Sequence, residues 1–316
     1  MTPDECAAWL TERDNFLIVT HVRPDGDTIG SAAALCLGLR HLGKNAYLFD
    51  NPGVTKRYLP FFTQYTAPEG FSQDFVISVD MAAAGMKPDG FDGDVDLSID
   101  HHASNTFYAR GTFLRGNRAA CGELILELLG IMDVDIDKEI AELLYIAVST
   151  DTGCFSYSNT TASTLRAASE LTALGADIAK LNKLLFRTAT AARIALEGMI
   201  YSGISLHEDG LIAVAVITLD MAARANATEI DFEDIANLPG RVDGVLISIT
   251  MRETAPNSLK ASVRTHGGIS AAAICKKFGG GGHEQAAGCD FGSCATDEAK
   301  ARIIGAAVAE LRLARS

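Results

Sequence analysis

Residues 15–43, NFLIVTHVRPDGDTIGSAAALCLGLRHLG, predict a strand, a turn and a helix in direct succession. The first six residues are mostly apolar and β-branched, which is typical of a buried strand. A helix is predicted from Asp27 onward, and Gly43 ends it. The turn carries His21, Asp25 and Asp27, so this unit of a parallel α/β sheet places titratable side chains just beyond a strand.

The rest of the chain predicts two domains. Strand-like runs recur at residues 45–50, 74–80 and 94–100, and helical spacing recurs at residues 119–132, 137–150, 161–175 and 177–187. This alternation indicates an α/β fold with a doubly wound, mainly parallel sheet. We assign this domain to residues 1–186, a linker helix to residues 187–202 and a smaller mixed α/β domain to residues 203–316. In the smaller domain, an Asp-Gly pair between two apolar runs predicts a hairpin.

Composition places the chain among globular proteins. Its 316 residues are 48% hydrophobic, which is enough for two domain cores. No apolar run reaches the length of a membrane span, and the first residues do not resemble a signal peptide. The seven cysteines are not spaced as disulfide or zinc pairs, so we expect buried thiols in a reducing compartment. The sequence therefore predicts a cytoplasmic protein with no membrane partner.

The charge balance favours a small ligand over a long nucleic acid. With 27 basic and 40 acidic residues the net charge is −13, which is unfavourable for holding a long duplex by its phosphates. Locally, residues 252–283 contain five Lys or Arg residues and a single acidic one, Glu253. This segment predicts a site for a small anion, and a solvated basic face is the alternative.

Acidic and imidazole side chains follow several predicted elements. Asp80 ends one strand, Asp100-His101-His102 ends the next, and Asp151 ends a helical run. The carboxyl ends of parallel strands form the ligand-binding edge of such a sheet, so these groups should converge with those of the first turn. A single strand-end aspartate more often caps a helix, but several carboxylates in one crevice repel one another unless a cation lies among them. Carboxylates with imidazoles suit Mn²⁺ or Mg²⁺, and two such ions sharing a carboxylate are the usual arrangement for phosphoester hydrolysis.

The run GGGGHEQAAG at residues 279–288 is a second unusual feature. Consecutive glycines let a ligand approach the backbone without meeting a Cβ atom. We interpret the run as a group of backbone N–H donors that precedes a helical turn and binds an anion, with His283 directed at a phosphate. A flexible linker is the alternative, although linkers rarely continue into a histidine and small packing residues.

Taken in order, these segments resemble the motifs of a known enzyme family. The motifs are HVRPDGDTIGS, SVDMA, IDHHASN, STDTGCFSYSNTT, KASVRT and GGGGHEQAAG, and they extend from Thr20 to Gly288. They are similar to the ordered motifs of the DHH phosphoesterases with a DHH-associated C-terminal domain. Chain length and the two-domain organisation resemble the small nanoRNase branch, whose members degrade very short oligonucleotides and dephosphorylate 3′-phosphoadenosine 5′-phosphate.

The resemblance also implies roles for individual residues. One metal ion would be held by His21, Asp25 and Asp80, and a second by Asp27, Asp80, His101 and Asp151. His102 would contact the phosphate, and Asp100 would orient a ligand. The residues implied in substrate binding are Asn105, Arg252, Lys260, Arg264, Gly280, Gly281, Gly282 and His283.

Together these features lead to one functional hypothesis and two alternatives. We expect a metal-dependent phosphoesterase with two divalent ions, Mn²⁺ ahead of Mg²⁺. It would convert short oligoribonucleotides and linear dinucleotides to mononucleotides, and 3′-phosphoadenosine 5′-phosphate to AMP. Its partners are then short single-stranded RNA, dinucleotides and nucleoside bisphosphates rather than long duplexes, and a homodimer is compatible with the sequence.

The two alternatives make different demands on the sequence. An inorganic pyrophosphatase with related metal motifs should carry a dense Lys/Arg clamp in its C-terminal half, where this chain has glycines beside small residues. A catalytically inactive nucleotide-sensing module should lack some of the expected ligands, yet every one of them is present. Both alternatives are therefore less favoured by the sequence than the phosphoesterase.

Overall fold

The computed structural model describes residues 1–256 and 258–315, and the chain divides into two compact units, Met1–Thr188 and Ala189–Ser316. Within those described ranges, no helix has both the length and the apolar character needed to cross a membrane. All seven cysteines are free thiols, and five of them are buried, in agreement with the thiols expected from their spacing.

The first unit is an α/β structure. Its strands are β1 (Phe16–Val19), β2 (Ala46–Leu48), β3 (Phe75–Val79), β4 (Leu97–Asp100) and β5 (Gly111–Leu114). Its helices are α1 (Pro3–Thr11), α2 (Gly26–His41), α3 (Cys121–Ile131), α4 (Lys138–Asp151), α5 (Ala162–Ala173) and α6 (Ile178–Phe186). The strands form one parallel sheet in the order β2-β1-β3-β4-β5. The predicted α/β class and mainly parallel sheet are confirmed.

The two faces of this sheet are covered differently. Phe16 and Ile18 contribute to the core on the face where all six helices bury residues. The alternate residues Leu17 and Val19 belong to a smaller core on the other face. The residues that cover them there lie outside the helices: Phe49, Ala67, Phe71, Phe91, Val95, Tyr108 and Ala109. Loops therefore cover this face of the sheet, where the predicted doubly wound sheet would have a second layer of helices.

Close packing of α2 against α4 brings distant chain segments together at one edge of the sheet. A Cβ atom on Gly30 would lie 2.3 Å from the carbonyl oxygen of Leu143, so a glycine is needed for the two helices to approach this closely. One turn earlier, a Cβ atom on Gly26 would lie 2.4 Å from the hydroxyl oxygen of Thr150. The start of α2 therefore meets the end of α4, the helix that Asp151 completes.

The second unit contains a mixed sheet and further helices. Its strands are β6 (Ser205–His207), β7 (Ile212–Ile217), β8 (Ile247–Ala255), β9 (Ser258–Thr265), β10 (Gly281–Gly282) and β11 (Ala286–Asp290). Its helices are α7 (Ala191–Ser202), α8 (Leu219–Ala225), α9 (Ala271–Lys276) and α10 (Thr296–Arg315). The sheet order is β10-β11-β9-β8-β7-β6, and the pair β7–β8 is parallel while the other pairs are antiparallel. The predicted hairpin around the Asp-Gly pair is β6–β7.

Helix α7 covers most of the segment predicted as a linker helix. It begins at Ala191, after the side chain of Thr190 has capped its first turn by accepting from the N–H of Arg193. Its buried residues Leu196 and Ile200 pack in one cluster with residues of β7. The helix is therefore part of the core of the second unit.

Candidate functional site

Segments at one edge of the first sheet bring the predicted metal-binding side chains together. They follow β1, begin α2, follow β3 and β4, and end α4, and they carry His21, Asp25, Asp27, Asp80, His101 and Asp151. Ligand atoms of His21, Asp25 and Asp80 lie within 4.8 Å of one another, and so do those of Asp27, His101 and Asp151. His101 Nε2 lies 3.4 Å from Asp80 Oδ1, so the two groups adjoin. The first group contains the same residues as one ligand set that the resemblance implies, and the second contains those of the other set except Asp80.

His101 is oriented by a backbone carbonyl. Its Nδ1 lies 3.1 Å from the carbonyl oxygen of Arg118, so Nδ1 carries the proton and donates it to this acceptor. Its Nε2 lies among carboxylates, 3.6 Å from both Asp27 Oδ2 and Asp151 Oδ2. Burial disfavours the charged ring, but the contact with Asp80 and the charges of the carboxylates outweigh burial and raise the pKa of His101 to about 10. The ring itself therefore supplies positive charge to the cluster.

Asp27 is a buried carboxylate at the start of another helix. It is 1% exposed, and it accepts hydrogen bonds from the N–H groups of Cys121 at 2.7 Å and Gly122 at 3.0 Å. Those N–H groups begin α3, where the helix dipole favours a negative charge. Burial and then the charges of Asp80 and Asp151 nevertheless raise the pKa of Asp27 well above its ordinary value. The side chain is thus fixed in orientation, and burial together with the neighbouring carboxylates outweighs the opposing charge of His101.

Asp151 shares this raised proton affinity. Burial is the main cause, and the charge of Asp80 adds to it, while His101 acts in the opposite direction; the pKa of Asp151 rises to about 6. Carboxylates that resist ionisation together become fully ionised when a cation lies among them. The electrostatics of the cluster therefore favour a bound cation.

Asp80 provides the clearest test of whether a metal ion fits this site. Its Oδ2 accepts a hydrogen bond of 2.6 Å from the hydroxyl of Thr28. Its Oδ1 is buried and accepts no hydrogen bond within residues 1–256 and 258–315, although a buried carboxylate oxygen normally accepts one. A divalent cation would satisfy this oxygen, and carboxylate and imidazole are ligands suited to Mn²⁺ or Mg²⁺. The residues present therefore fit a metal centre.

Asp100 and His102 form a hydrogen-bonded pair beside the cluster. Asp100 is fully buried, and its Oδ1 lies 2.7 Å from His102 Nδ1. Burial would raise the pKa of Asp100, but hydrogen bonds from His102 and Asn105 outweigh it and lower the pKa. The hydrogen bond to Asp100 is in turn the main cause of the raised pKa of His102. Asp100 thus holds the partly exposed His102 ring and favours its charged form.

Asn105, predicted to bind substrate, makes hydrogen bonds inside the first unit. Its amide Nδ2 donates to Asp100 Oδ2 at 2.6 Å, and its Oδ1 accepts from the backbone N–H of Phe107 at 2.7 Å. The side chain is 6% exposed. Because both ends of the amide are engaged inside the unit, Asn105 positions Asp100, and its predicted contact with substrate is weakened.

Several residues that position the cluster have no part in the sequence analysis. The hydroxyl of Thr28 donates a hydrogen bond to Asp80, and that of Ser31 donates to Asp27 at 2.9 Å. The backbone carbonyl of Arg118 orients the His101 ring. Tyr108 donates its hydroxyl proton to the carbonyl oxygen of Met81 at 3.0 Å and so supports the turn after β3. Only Thr28 could have been found from the sequence, because it stands three residues after the helix-capping Asp25.

The basic residues predicted in the second unit share one face of its sheet. Arg252 of β8 is paired with Lys260 of β9, and Arg264 of β9 with Ser248 of β8. The intervening residues of β9, such as Val263, are buried on the opposite face. Strand alternation therefore places these cations on one face of the sheet, with Arg252 beside Lys260 and Arg264 four residues further along β9.

The three cations differ in their surroundings. The Arg252 guanidinium lies 3.5 Å from the centroid of the Phe232 ring, and its Nη2 lies 2.8 Å from Glu229 Oε1. Lys260 is exposed and Arg264 is half-buried. The prediction that Arg252 binds the phosphate is thus weakened, because its charge already has partners within the unit, whereas Lys260 and Arg264 stay candidates.

The glycine run has a different structure from the one expected. It follows α9 instead of preceding a helical turn, and its residues Gly281 and Gly282 form β10 as a hairpin with β11. A Cβ atom on Gly280 would lie 2.2 Å from the carbonyl oxygen of Gly288, and Gly282 has a φ of 145°. The close approach that demands glycine is therefore to the chain's own strand. His283 is exposed at the turn, where its N–H donates to the carbonyl of Ala286 at 2.8 Å.

Comparisons with known proteins agree over both units. The profile described as DHH family, N-terminal domain, matches residues 15–148, and that of the DHHA1 domain matches residues 211–310. The bifunctional oligoribonuclease and PAP phosphatase NrnA of Thermus thermophilus is 34% identical over 304 residues, which are 93% of this chain and 89% of that protein.

Solved structures give the same result for the fold. An exopolyphosphatase-related protein from Bacteroides fragilis superposes with a TM-score of 0.88 at 25% identity, covering 99% of this chain and 98% of that one. Exonuclease RecJ bound to manganese superposes with a TM-score of 0.53 at 16% identity, covering 98% and 94% of the two chains. The second likeness concerns the fold alone.

Proposed function

Because the chain belongs to the DHH family of phosphoesterases and carries a DHHA1 domain, we propose that it acts on short nucleic acids and nucleotides. The proposed reactions are hydrolysis of short oligoribonucleotides and linear dinucleotides to mononucleotides, and of 3′-phosphoadenosine 5′-phosphate to AMP. The observation that carries the proposal is the buried Asp80 Oδ1, which accepts no hydrogen bond from the described residues and lies inside a cluster of carboxylates and imidazoles. The name of the Thermus relative supports the choice of substrates.

Members of the DHH family are metal-dependent, and the proposed site in this chain holds two divalent ions, with Mn²⁺ preferred to Mg²⁺. His21, Asp25 and Asp80 would hold one, and Asp27, Asp80, His101 and Asp151 the other. When bound, such ions make a water molecule nucleophilic near neutral pH and neutralise charge on the phosphate. Sharing of Asp80 is supported by its place in the first group and by the 3.4 Å between its Oδ1 and Nε2 of His101, which belongs to the second.

The chain's own residues then orient the substrate phosphate. His102, with its pKa raised by Asp100, is available as a charged donor to a phosphate oxygen. Asp100 keeps the ring in one orientation, and Asn105 keeps Asp100 in place. In the second unit, Arg264, Lys260 and His283 would bind the terminal phosphate. A net charge of −13 and the single basic segment favour short substrates over long strands.

A time course of products from 5′-phosphorylated RNA of graded length, with Mn²⁺, tests this function. We expect fastest cleavage at about two to five nucleotides, because a chain with a net charge of −13 lacks the continuous positive groove that a longer strand needs. Phosphate should be released from 3′-phosphoadenosine 5′-phosphate in a parallel reaction. Duplex RNA should be essentially untouched. The Asp80→Asn protein is the matched inactive control. Equal or higher kcat/KM on a twenty-nucleotide strand would instead indicate a processive exonuclease.

The same assay separates the alternatives. Hydrolysis of inorganic pyrophosphate without nucleotide turnover would indicate a pyrophosphatase, which an exposed glycine hairpin in place of a dense Lys/Arg clamp does not favour. Binding of nucleotides without any turnover would indicate a sensing module. The cytoplasmic location and a homodimer stay predictions from the sequence.

A further inference from the structure

Phe107, in the loop that follows β4, has both an exposed apolar side chain and a strained backbone. Its side chain is 66% exposed, and its backbone has a φ of 53°, in the left-handed region. That region is unfavourable for a bulky residue without local hydrogen-bonding groups of its own, and strain of this kind is found mainly at ligand-contacting sites. An exposed phenylalanine alone would need no explanation, whereas one held in a strained conformation does.

Hydrogen bonds connect Phe107 to the candidate site. Its N–H donates to Asn105 Oδ1 at 2.7 Å, and Asn105 Nδ2 donates to Asp100 Oδ2 at 2.6 Å. Asp100 Oδ1 in turn lies 2.7 Å from His102 Nδ1. The position of Phe107 is therefore fixed, through three short hydrogen bonds, relative to the histidine proposed to contact the phosphate.

The residues on both sides of Phe107 are anchored as well. The N–H of Thr106 donates to the carbonyl of Ala82 at 2.9 Å, and the hydroxyl of Tyr108 donates to the carbonyl of Met81 at 3.0 Å. Both acceptors lie directly after Asp80. The exposed ring of Phe107 is thus carried by a backbone tied to the two segments that supply Asp80 and His102.

We propose that Phe107 is the stacking surface for the nucleobase of the nucleotide whose phosphate is hydrolysed. This inference rests on the proposed function and adds the residue that recognises the base. A fixed aromatic ring stacks on any base, so it provides affinity without strong base preference. Because hydrogen bonds link the backbone of Phe107 to His102, the ring would meet the base that the ribose carries next to the phosphate proposed to contact His102.

The test compares two substrates that differ only in the base. These are 3′-phosphoadenosine 5′-phosphate and 1-deoxyribose 3′,5′-bisphosphate, each assayed with Mn²⁺ by release of inorganic phosphate. In the unmodified protein we expect the base to lower KM. In Phe107→Ala, KM for the adenosine substrate should rise roughly 5- to 100-fold, from the free energy of stacking one base, with kcat little changed. The base-free substrate should be hydrolysed equally by both proteins.

Further variants separate loss of the ring from changes of the backbone. Phe107→Gly removes the ring and also relieves the positive φ, so it should show the same loss of base preference in a well-folded protein. Phe107→Trp should retain the preference. Leu165→Ala, which removes a 53% exposed apolar side chain from α5, is the matched control and should change neither KM.

The outcomes distinguish this inference from the function on which it rests. Turnover by the unmodified protein, with the base preference kept in Phe107→Ala, would overturn the stacking role alone. An equal loss on both substrates would assign Phe107 a structural role and would overturn the inference too. Failure of the unmodified protein to release phosphate from either substrate would reject the phosphatase function and the stacking role with it.

Discussion

Asp80 has a left-handed backbone with a φ of 58°. One of its carboxylate oxygens accepts a hydrogen bond from Thr28, and the other accepts none from the part of the chain that the structure describes. These features are connected. The turn after β3 directs the carboxylate into the cluster, and the hydroxyl of Thr28 occupies Oδ2. The remaining oxygen is then available to a cation, which makes Thr28 a positioning residue for the proposed metal centre.

Replacing Thr28 tests this connection. Thr28→Val keeps the shape but removes the donor, so Mn²⁺ affinity should fall about 10- to 100-fold, as for other residues that orient a metal ligand. Isothermal titration with Mn²⁺ measures the change, and circular dichroism checks the fold. Thr28→Ser retains a hydroxyl and should bind Mn²⁺ nearly as well as the unmodified protein. Equal Mn²⁺ affinities in all three proteins would show that Thr28 does not position Asp80 for metal binding.

A second prediction at this scale concerns protons. The pKa of His101 is about 10 without metal, so its Nε2 is protonated at neutral pH and must lose that proton to bind a cation. Mn²⁺ affinity should therefore rise by up to about tenfold per pH unit and level off as pH approaches 10. Below about pH 6, protonation of Asp151 should weaken binding further.

Titration calorimetry in buffers of different ionisation enthalpy measures the released protons directly. About one proton per bound protein is expected near pH 7.5. His101→Asn should bind Mn²⁺ more weakly and release fewer protons. A Mn²⁺ affinity independent of pH between 7 and 9 would contradict the prediction.

At the scale of the secondary-structure elements, the glycine hairpin offers a matched pair of substitutions. A Cβ atom on Gly280 would lie 2.2 Å from the carbonyl oxygen of Gly288, whereas one on Gly281 would have no atom within 4 Å among the parts of the chain described. Gly280→Ala should therefore destabilise the protein by about 1–3 kcal/mol, as overpacking does. Gly281→Ala should change the free energy of unfolding by less than about 0.5 kcal/mol.

Urea denaturation followed by circular dichroism compares the two variants. If Gly281→Ala were as destabilising as Gly280→Ala, the hairpin contact would not be the reason for the glycines. If both proteins were fully stable but Gly281→Ala had lost substrate affinity, a ligand would approach the backbone there, as the sequence analysis expected.

For the whole molecule, the prediction concerns a division of tasks between the two units. Arg264→Ala and His283→Ala should each raise KM for phosphorylated substrates roughly 10- to 100-fold, because a charge-assisted hydrogen bond contributes about 1.5–3 kcal/mol. The bound Mn²⁺ should not change, since no metal-ligating group of the first unit is altered. Arg224→Ala, a surface arginine paired with Asp220, is the control and should leave KM as it is.

Steady-state kinetics with metal analysis of the same samples checks this division. Loss of Mn²⁺ from either variant would show that the second unit supports the metal centre. An unchanged KM in both variants would show that neither Arg264 nor His283 contacts the substrate phosphate.

The sequence alone determined the order of elements and the location of the acids. Apolar runs alternating with helical spacing predict a parallel sheet, and its strands must end at one edge. Asp80 and His101 follow two such strands, so their convergence could be inferred without coordinates. The order of the motifs also indicated the DHH family, because the order and spacing of motifs along a chain can be compared without coordinates.

Only the tertiary structure decided which atoms meet. Residue patterns encode which face of an element is buried, but contacts between segments far apart in sequence depend on how the elements pack. Asn105 reads as a ligand-binding residue until its amide is seen on Asp100, and the N–H of Cys121 meets Asp27 across 94 residues of chain. Likewise, the glycines before His283 suggested a ligand, whereas the group that excludes a side chain at Gly280 is a carbonyl of its own hairpin, a pairing that no local pattern specifies.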